Sequence, residues 1–151
     1  MYKFALKSLV SNLSIFLLIF FVSACEDVKN DIPDIPVNFT IYLDDPIYRE
    51  LRTVGNSITV LGGHAGIVVY RFTQDEFIAY DRLCPVEQKE DCRIQATDDD
   101  LFYTCNCCKT PYLMIDGTGQ SRNDTTFPGT GKFLKAYRTY YNGNNEVRIT
   151  N

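Results

Sequence analysis

The hydrophobic pattern of this chain changes character once. Residues 9–22 form an apolar run interrupted only by Ser11, Asn12 and Ser14. From residue 37 onward, apolar positions alternate with polar ones or form short runs between turn residues. Residues 37–43 (Val-Asn-Phe-Thr-Ile-Tyr-Leu) alternate at period two, which predicts a half-buried strand. Asp44-Asp45-Pro46 then turns the chain. Residues 47–51 fit neither period, and 57–61 read as a short strand. The bend Gly62-Gly63-His64-Ala65-Gly66 leads into an apolar run at 67–72. Residues 77–80 run back, so the two segments predict a hairpin. Two strands, 101–104 and 112–115, are predicted around residues 105–111. Asp116-Gly117 reads as a tight turn, and 119–131, with Gly119, Gly129 and Gly131, as a surface loop. Residues 133–141 and 146–150 flank Asn142-Gly143-Asn144-Asn145 and predict a terminal hairpin. No long helix is indicated after residue 24. Short strands separated by glycine turns define an all-β class, a sandwich or small barrel.

The first apolar run has a different meaning. Lys3 and Lys7 precede it, and it ends in Val22-Ser23-Ala24-Cys25, followed at once by Glu26-Asp27. A positive head, a short apolar stretch and small residues before a cut describe an export signal. The run is shorter than the roughly 20 residues a membrane span needs. Val-Ser-Ala-Cys resembles the bacterial lipobox, which implies cleavage after residue 24 and acylation of Cys25. Two or three acyl chains on one residue anchor stably where one does not. The expected organisation is a signal at 1–24, acylated Cys25 with a Pro-containing linker at 25–38, and one domain at 39–151. That places the protein in the bacterial cell envelope, held to membrane lipid through Cys25 and facing the periplasm or the exterior.

Charge narrows the choice of partners. The formal net charge is −4, and losing the two lysines of residues 1–24 takes it to −6. Nucleic acid is therefore not an expected partner, since such a surface needs a basic footprint. The expected partner besides lipid is an envelope protein that the sequence does not identify. No serine–histidine–acid set and no phosphate-binding glycine motif is present, so an enzyme is not the expectation.

The candidate chemistry is in the cysteines. Besides Cys25 there are five, Cys84, Cys92, Cys105, Cys107 and Cys108, all within residues 84–108. In an exported protein disulfides are the simple reading, and an odd number leaves at least one thiol over. Cys105 and Cys108 have C-x-x-C spacing, which suits a shared metal or a redox pair. By spacing alone, Cys84, Cys92, Cys105 and Cys108 make a four-cysteine site for a soft metal such as zinc. Asp81, Arg82 and Glu87 flank Cys84 and read as ion-pairing residues that fix its loop. His64, the single histidine, reads as a loop residue.

These features together resemble the Rieske iron–sulfur domain over roughly residues 60–150. The order of elements is similar: a hairpin, a first cysteine loop (Cys84-Pro85-Val86), a short strand, a second loop (Cys105-Asn106-Cys107-Cys108) and a closing hairpin. Phe127-Pro128-Gly129-Thr130-Gly131 loosely resembles the family's Gly-Pro segment. The resemblance implies a Rieske-like fold with Cys84 and Cys105 at the ligand-cysteine positions. It puts Val86 and Cys108 where the two ligand histidines belong. It also implies a loop-to-loop disulfide, with Cys107 as one partner and Cys92 as the best candidate for the other. Two imidazoles on one iron give a Rieske centre its potential, and one histidine cannot supply them. The expectation is a degenerate scaffold without a cofactor, its loops stapled by Cys92–Cys107 and by Cys84 with Cys108 or Cys105, in a structural or binding role. The alternative is an electron-transfer protein with a [2Fe-2S] cluster, or zinc, on cysteines.

Overall fold

The computed structural model describes residues 32–97, 101–115 and 132–151. Cys25, the signal, Asp116-Gly117, the 119–131 loop and the Gly-Pro segment lie outside the described residues. Two antiparallel sheets are present among those described. The larger has the order β1-β9-β8-β4-β3-β2, and the smaller β5-β6-β7. The strands are β1 Asn38–Tyr42, β2 Ser57–Val60, β3 Ile67–Arg71, β4 Phe77–Asp81, β5 Ile94–Ala96, β6 Phe102–Cys105, β7 Pro111–Leu113, β8 Ala136–Tyr141 and β9 Glu146–Thr150. The all-β class expected from sequence is observed, as is the order of hairpin, first cysteine loop, short strand, second cysteine loop and closing hairpin. β5 had no sequence signal: it is three residues long, and only Ile94 in it is buried. Pro46–Arg52, which fits no period, is a 3-10 helix. Asp45 caps it by accepting from the Ile47 N–H (2.9 Å), with Pro46 where no N–H is needed.

Alternation in β3 and β4 divides the molecule into two cores. Ile67 and Val69 of β3, with Phe77 and Ala79 of β4, face one core, where Ile41, Leu51, Tyr137, Val147 and Ile149 meet them. Val68 and Tyr80 point the other way, into a second core with Ile94, Tyr103, Tyr112, Met114 and four cysteine side chains. In register, Val68 lies opposite Tyr80 and Val69 opposite Ala79. This is why β3 reads as a continuous apolar run: it is buried on both faces. The small sheet covers the second face and carries both cysteine loops.

The inter-core corner is organised by Asp81, the last residue of β4 and fully buried. One carboxylate oxygen accepts from the His64 N–H (2.7 Å) and the Tyr137 hydroxyl (2.8 Å). The other accepts from the N–H groups of Leu83 (2.8 Å) and Ala65 (3.3 Å). Asp81 therefore fixes its loop through backbone donors and a tyrosine, not through the expected ion pair. Arg82 instead donates to the Ile94 carbonyl (3.2 Å), and Glu87 faces Lys89 (3.3 Å). Gly63 permits this packing. It has φ +60°, and a Cβ there would lie 2.3 Å from Asp81 Oδ2 and 2.5 Å from the Tyr137 oxygen.

The described end of the expected linker is not a free tether. Ile32 is buried against Ala65 and Leu83, and Val37 joins the first core. Buried Lys135 donates to the Pro33 carbonyl (2.9 Å) and pairs with Asp34. That pairing holds the Asp34 carboxyl below its usual range. The side chain of Asn151 accepts from the Val37 N–H (2.9 Å) and donates to the Ile35 carbonyl (3.0 Å). Two apolar side chains and these polar contacts are enough to hold residues 32–37 on the domain.

Replacing Asp81 by Ala leaves four donors without their acceptor and is expected to destabilise by about 3 kcal/mol or more. Asp81→Asn keeps the shape but turns an NH2 toward donors, so it recovers less than half of that loss. Gly63→Ala is destabilising by about 2 kcal/mol or more from steric conflict and positive φ. Denaturant unfolding of the three variants checks all three values.

Candidate functional site

Two loops at one end of the small sheet present the cysteines, and they share one backbone design. In the first, Cys84 accepts from the N–H of Gln88 (2.8 Å), and Gln88 has φ +51°. In the second, Cys105 accepts from the N–H of Lys109 (3.0 Å), and Lys109 has φ +60°. Each loop is thus a one-turn reversal closed by a residue in the left-handed region. The loops are laced together by Asn106. Its side chain accepts from the Arg93 N–H (2.8 Å) and donates to the Asp91 carbonyl (2.9 Å). The Cys84 N–H bonds to the Cys92 carbonyl (2.9 Å), and Leu83 bridges to Arg93.

Cys92 and Cys107 form a disulfide between the loops. Cys84, Cys105 and Cys108 are free thiols whose sulfurs all lie within 4.8 Å of one another. Cys84 and Cys105 are fully buried, and Cys108 is partly exposed. Two expectations are corrected here. The four-cysteine set Cys84, Cys92, Cys105 and Cys108 is not assembled, because Cys92 is bonded to Cys107. The second disulfide is not formed either: Cys84 and Cys108 sulfurs are 3.5 Å apart, in contact but unbonded. What the two loops gather is a set of three thiols. Val86, at the position expected for a histidine, packs on the second core and offers no donor. His64 is outside this group, its ring Nε2 being 2.9 Å from the Pro33 carbonyl oxygen.

The three thiols are not equivalent. Burial, with the neighbouring Cys105 thiol, pushes Cys84 up to about 12, against the opposing pull of the Val86 and Glu87 N–H groups. Burial also acts to raise Cys108. The Thr110 hydroxyl (3.2 Å), the Thr110 N–H and the other two thiols outweigh it, and Cys108 lies below the usual thiol value. Tyr112, whose oxygen is 4.0 Å from Cys84 Sγ, is raised by burial and by the adjacent sulfur. It therefore stays protonated and able to donate. Sequence reasoning singled out all five cysteines but missed Thr110 and Tyr112. Nothing local marks either residue, since both meet the sulfurs through the β6–β7 turn and pairing.

The solved structures similar to this chain include the following two. One is a protein described as the small subunit of an NADH-dependent nitrite reductase from Mycobacterium tuberculosis, 12% identical with a TM-score of 0.44, covering 78% of this chain and 97% of that one. The other is the E. coli protein NirD, 15% identical with a TM-score of 0.44, covering 78% of this chain and 98% of that one. No family model matches the sequence. No curated protein matches it.

Because thiolate is the reactive form, Cys108 is expected to be the first thiol alkylated in chelator-treated native protein. Its rate at pH 8 should exceed that of Cys84 by about tenfold or more. Raising the pH increases both rates, with Cys108 reaching its plateau at lower pH. Timed iodoacetamide labelling with peptide mass mapping measures this.

Proposed function

We propose that this chain is a non-enzymatic module of the bacterial cell envelope, anchored by acylated Cys25, in which a Rieske-like scaffold has given up its iron–sulfur cluster and kept its two loops for a structural or binding role. The observation that carries this reading is the donor count. A two-iron cluster takes four protein ligands, either four cysteines or two cysteines and two histidines. The loops offer Cys84, Cys105 and Cys108, while Cys92 is spent in the bridge to Cys107 and Val86 has no donor. The residues present therefore do not fit the cluster. The disulfide already joins the two loops, which is one task a shared metal cluster performs. A bridge closing a loop of this size contributes roughly 3 kcal/mol by constraining the unfolded chain, and an exported protein meets conditions that keep it oxidised.

The test uses the full chain, extracted in detergent without oxygen. Iron and acid-labile sulfide are expected to be absent, with no visible absorption; two irons per chain with charge-transfer bands would make it an electron carrier instead. Cys25→Ser is expected to abolish acyl incorporation and to leave residues 1–24 attached, read by labelled-lipid incorporation and intact mass. Normal acylation of that variant would remove the anchor from the proposal.

A further inference from the structure

The geometry points to a mononuclear zinc site on Cys84, Cys105 and Cys108, beside the Cys92–Cys107 disulfide and with its fourth coordination position open. This rests on the reading that the corner holds no iron–sulfur cluster. The first argument is distance. Zinc–thiolate bonds of about 2.3 Å in a tetrahedron set sulfurs about 3.8 Å apart. Here Cys84 and Cys108 are 3.5 Å apart, and all three sulfurs lie within 4.8 Å. These separations bracket the spacing one tetrahedral ion requires.

The second argument is the environment of the sulfurs. The Cys108 thiol donates to the Thr110 hydroxyl oxygen (3.2 Å), and its sulfur is 3.5 Å from that of Cys84. Tyr112 stands 4.0 Å from Cys84 with its hydroxyl. Polar partners beside the sulfurs orient them, as partners outside the coordination shell do at metal sites. Both cysteine loops are closed tightly by left-handed residues, Gln88 and Lys109, so the sulfurs are held without the metal.

The third argument is the number and type of donors. Thiolates select zinc, copper(I) or iron–sulfur clusters among metal centres. Three thiolates with zinc carry a net charge of −1, whereas copper(I) would leave −2 in a largely buried site, which is costlier to desolvate. Val86, packed on the same core, adds no donor to the three sulfurs. A zinc site with three protein ligands keeps its last position for water or an incoming ligand. Cys108 is the one partly exposed member of the trio, so solvent and small ligands approach from its side. Binding forms three zinc–sulfur bonds and releases the thiol protons to solvent, and nothing is oxidised or reduced.

The experiment uses the detergent-extracted full chain, prepared without oxygen and without thiol reductant, then titrated with zinc alone against a chromophoric chelator. One zinc per chain is expected. Alkylation of the zinc-loaded chain is expected to spare Cys84, Cys105 and Cys108, with the Cys92 and Cys107 peptides still linked. Cobalt(II) in place of zinc should give tetrahedral ligand-field bands. Cys108→Ser, the change at the exposed ligand and least disturbing to the core, should weaken zinc on the order of 100-fold. Absence of stoichiometric zinc would overturn the inference while leaving the cluster-free module standing. So would zinc that leaves the three thiols reactive, or unchanged affinity in Cys108→Ser. Iron with sulfide would overturn both. The labelling measurement needs no variant, so it decides the matter even if Cys108→Ser folds poorly.

Discussion

The Asp81 carboxylate is the interaction on which the corner of this molecule depends. Four donors from three parts of the chain converge on it: two N–H groups of the 62–66 bend, the N–H of Leu83 and the hydroxyl of Tyr137. Each bond closes a different gap. Tyr137 ties β8 to β4 where only two residue pairs join those strands. Leu83 fixes the exit from β4, and the next residue is Cys84. The bend lies beside the docked segment 32–37, through Ala65 against Ile32. A buried carboxylate costs several kcal/mol unless its lone pairs are satisfied, and here four donors satisfy them. The same arithmetic explains Gly63, since any side chain there would occupy the space these bonds need.

Sheet alternation then decides where the thiols go. β3 and β4 are buried on both faces, so one core belongs to the large sheet and the other to the small one. The small sheet has only three short strands and would not stand alone. It is held by Tyr103 and Tyr112 packing on Val68 and Tyr80, by the loop-to-loop hydrogen bonds of Asn106, and by the disulfide. Cys84 and Cys105 occupy interior positions of that core because they face inward at the ends of strand-like segments. Cys107 faces the partner loop and Cys108 the rim. One short stretch of sequence therefore delivers a bridge and a thiol cluster side by side.

That segregation bears on chemistry. A disulfide and a thiol trio are different uses of the same residue type, and only position distinguishes them. The bridge removes Cys92 as a ligand, which takes the loops from four donors to three. Three sulfurs within 4.8 Å of one another suit a single soft ion, while the apolar Val86 offers a cluster no ligand. The gradient from buried Cys84 to partly exposed Cys108 gives the site a direction, with solvent on one side and the tyrosine-rich core on the other.

The all-β class was legible in the chain before any folding, because period-two alternation and glycine turns are local properties of strands and reversals. The two hairpins at residues 67–80 and 133–150 were legible for that reason, and so was the placement of five cysteines in two loops. The short β5, with one buried residue, was too brief to show a period. The resemblance pointed to the Cys92–Cys107 pair, but it took the folded chain to show that Cys84, Cys105 and Cys108 stay unbonded, since bonding depends on which side of a loop each sulfur leaves and spacing does not record it. The tertiary structure also decided that residues 32–37 dock and that Asp81 is an acceptor hub. Both depend on partners 16 or more residues away along the chain, among them Tyr137 and Lys135, and no local pattern of hydrophobic and polar positions carries that information.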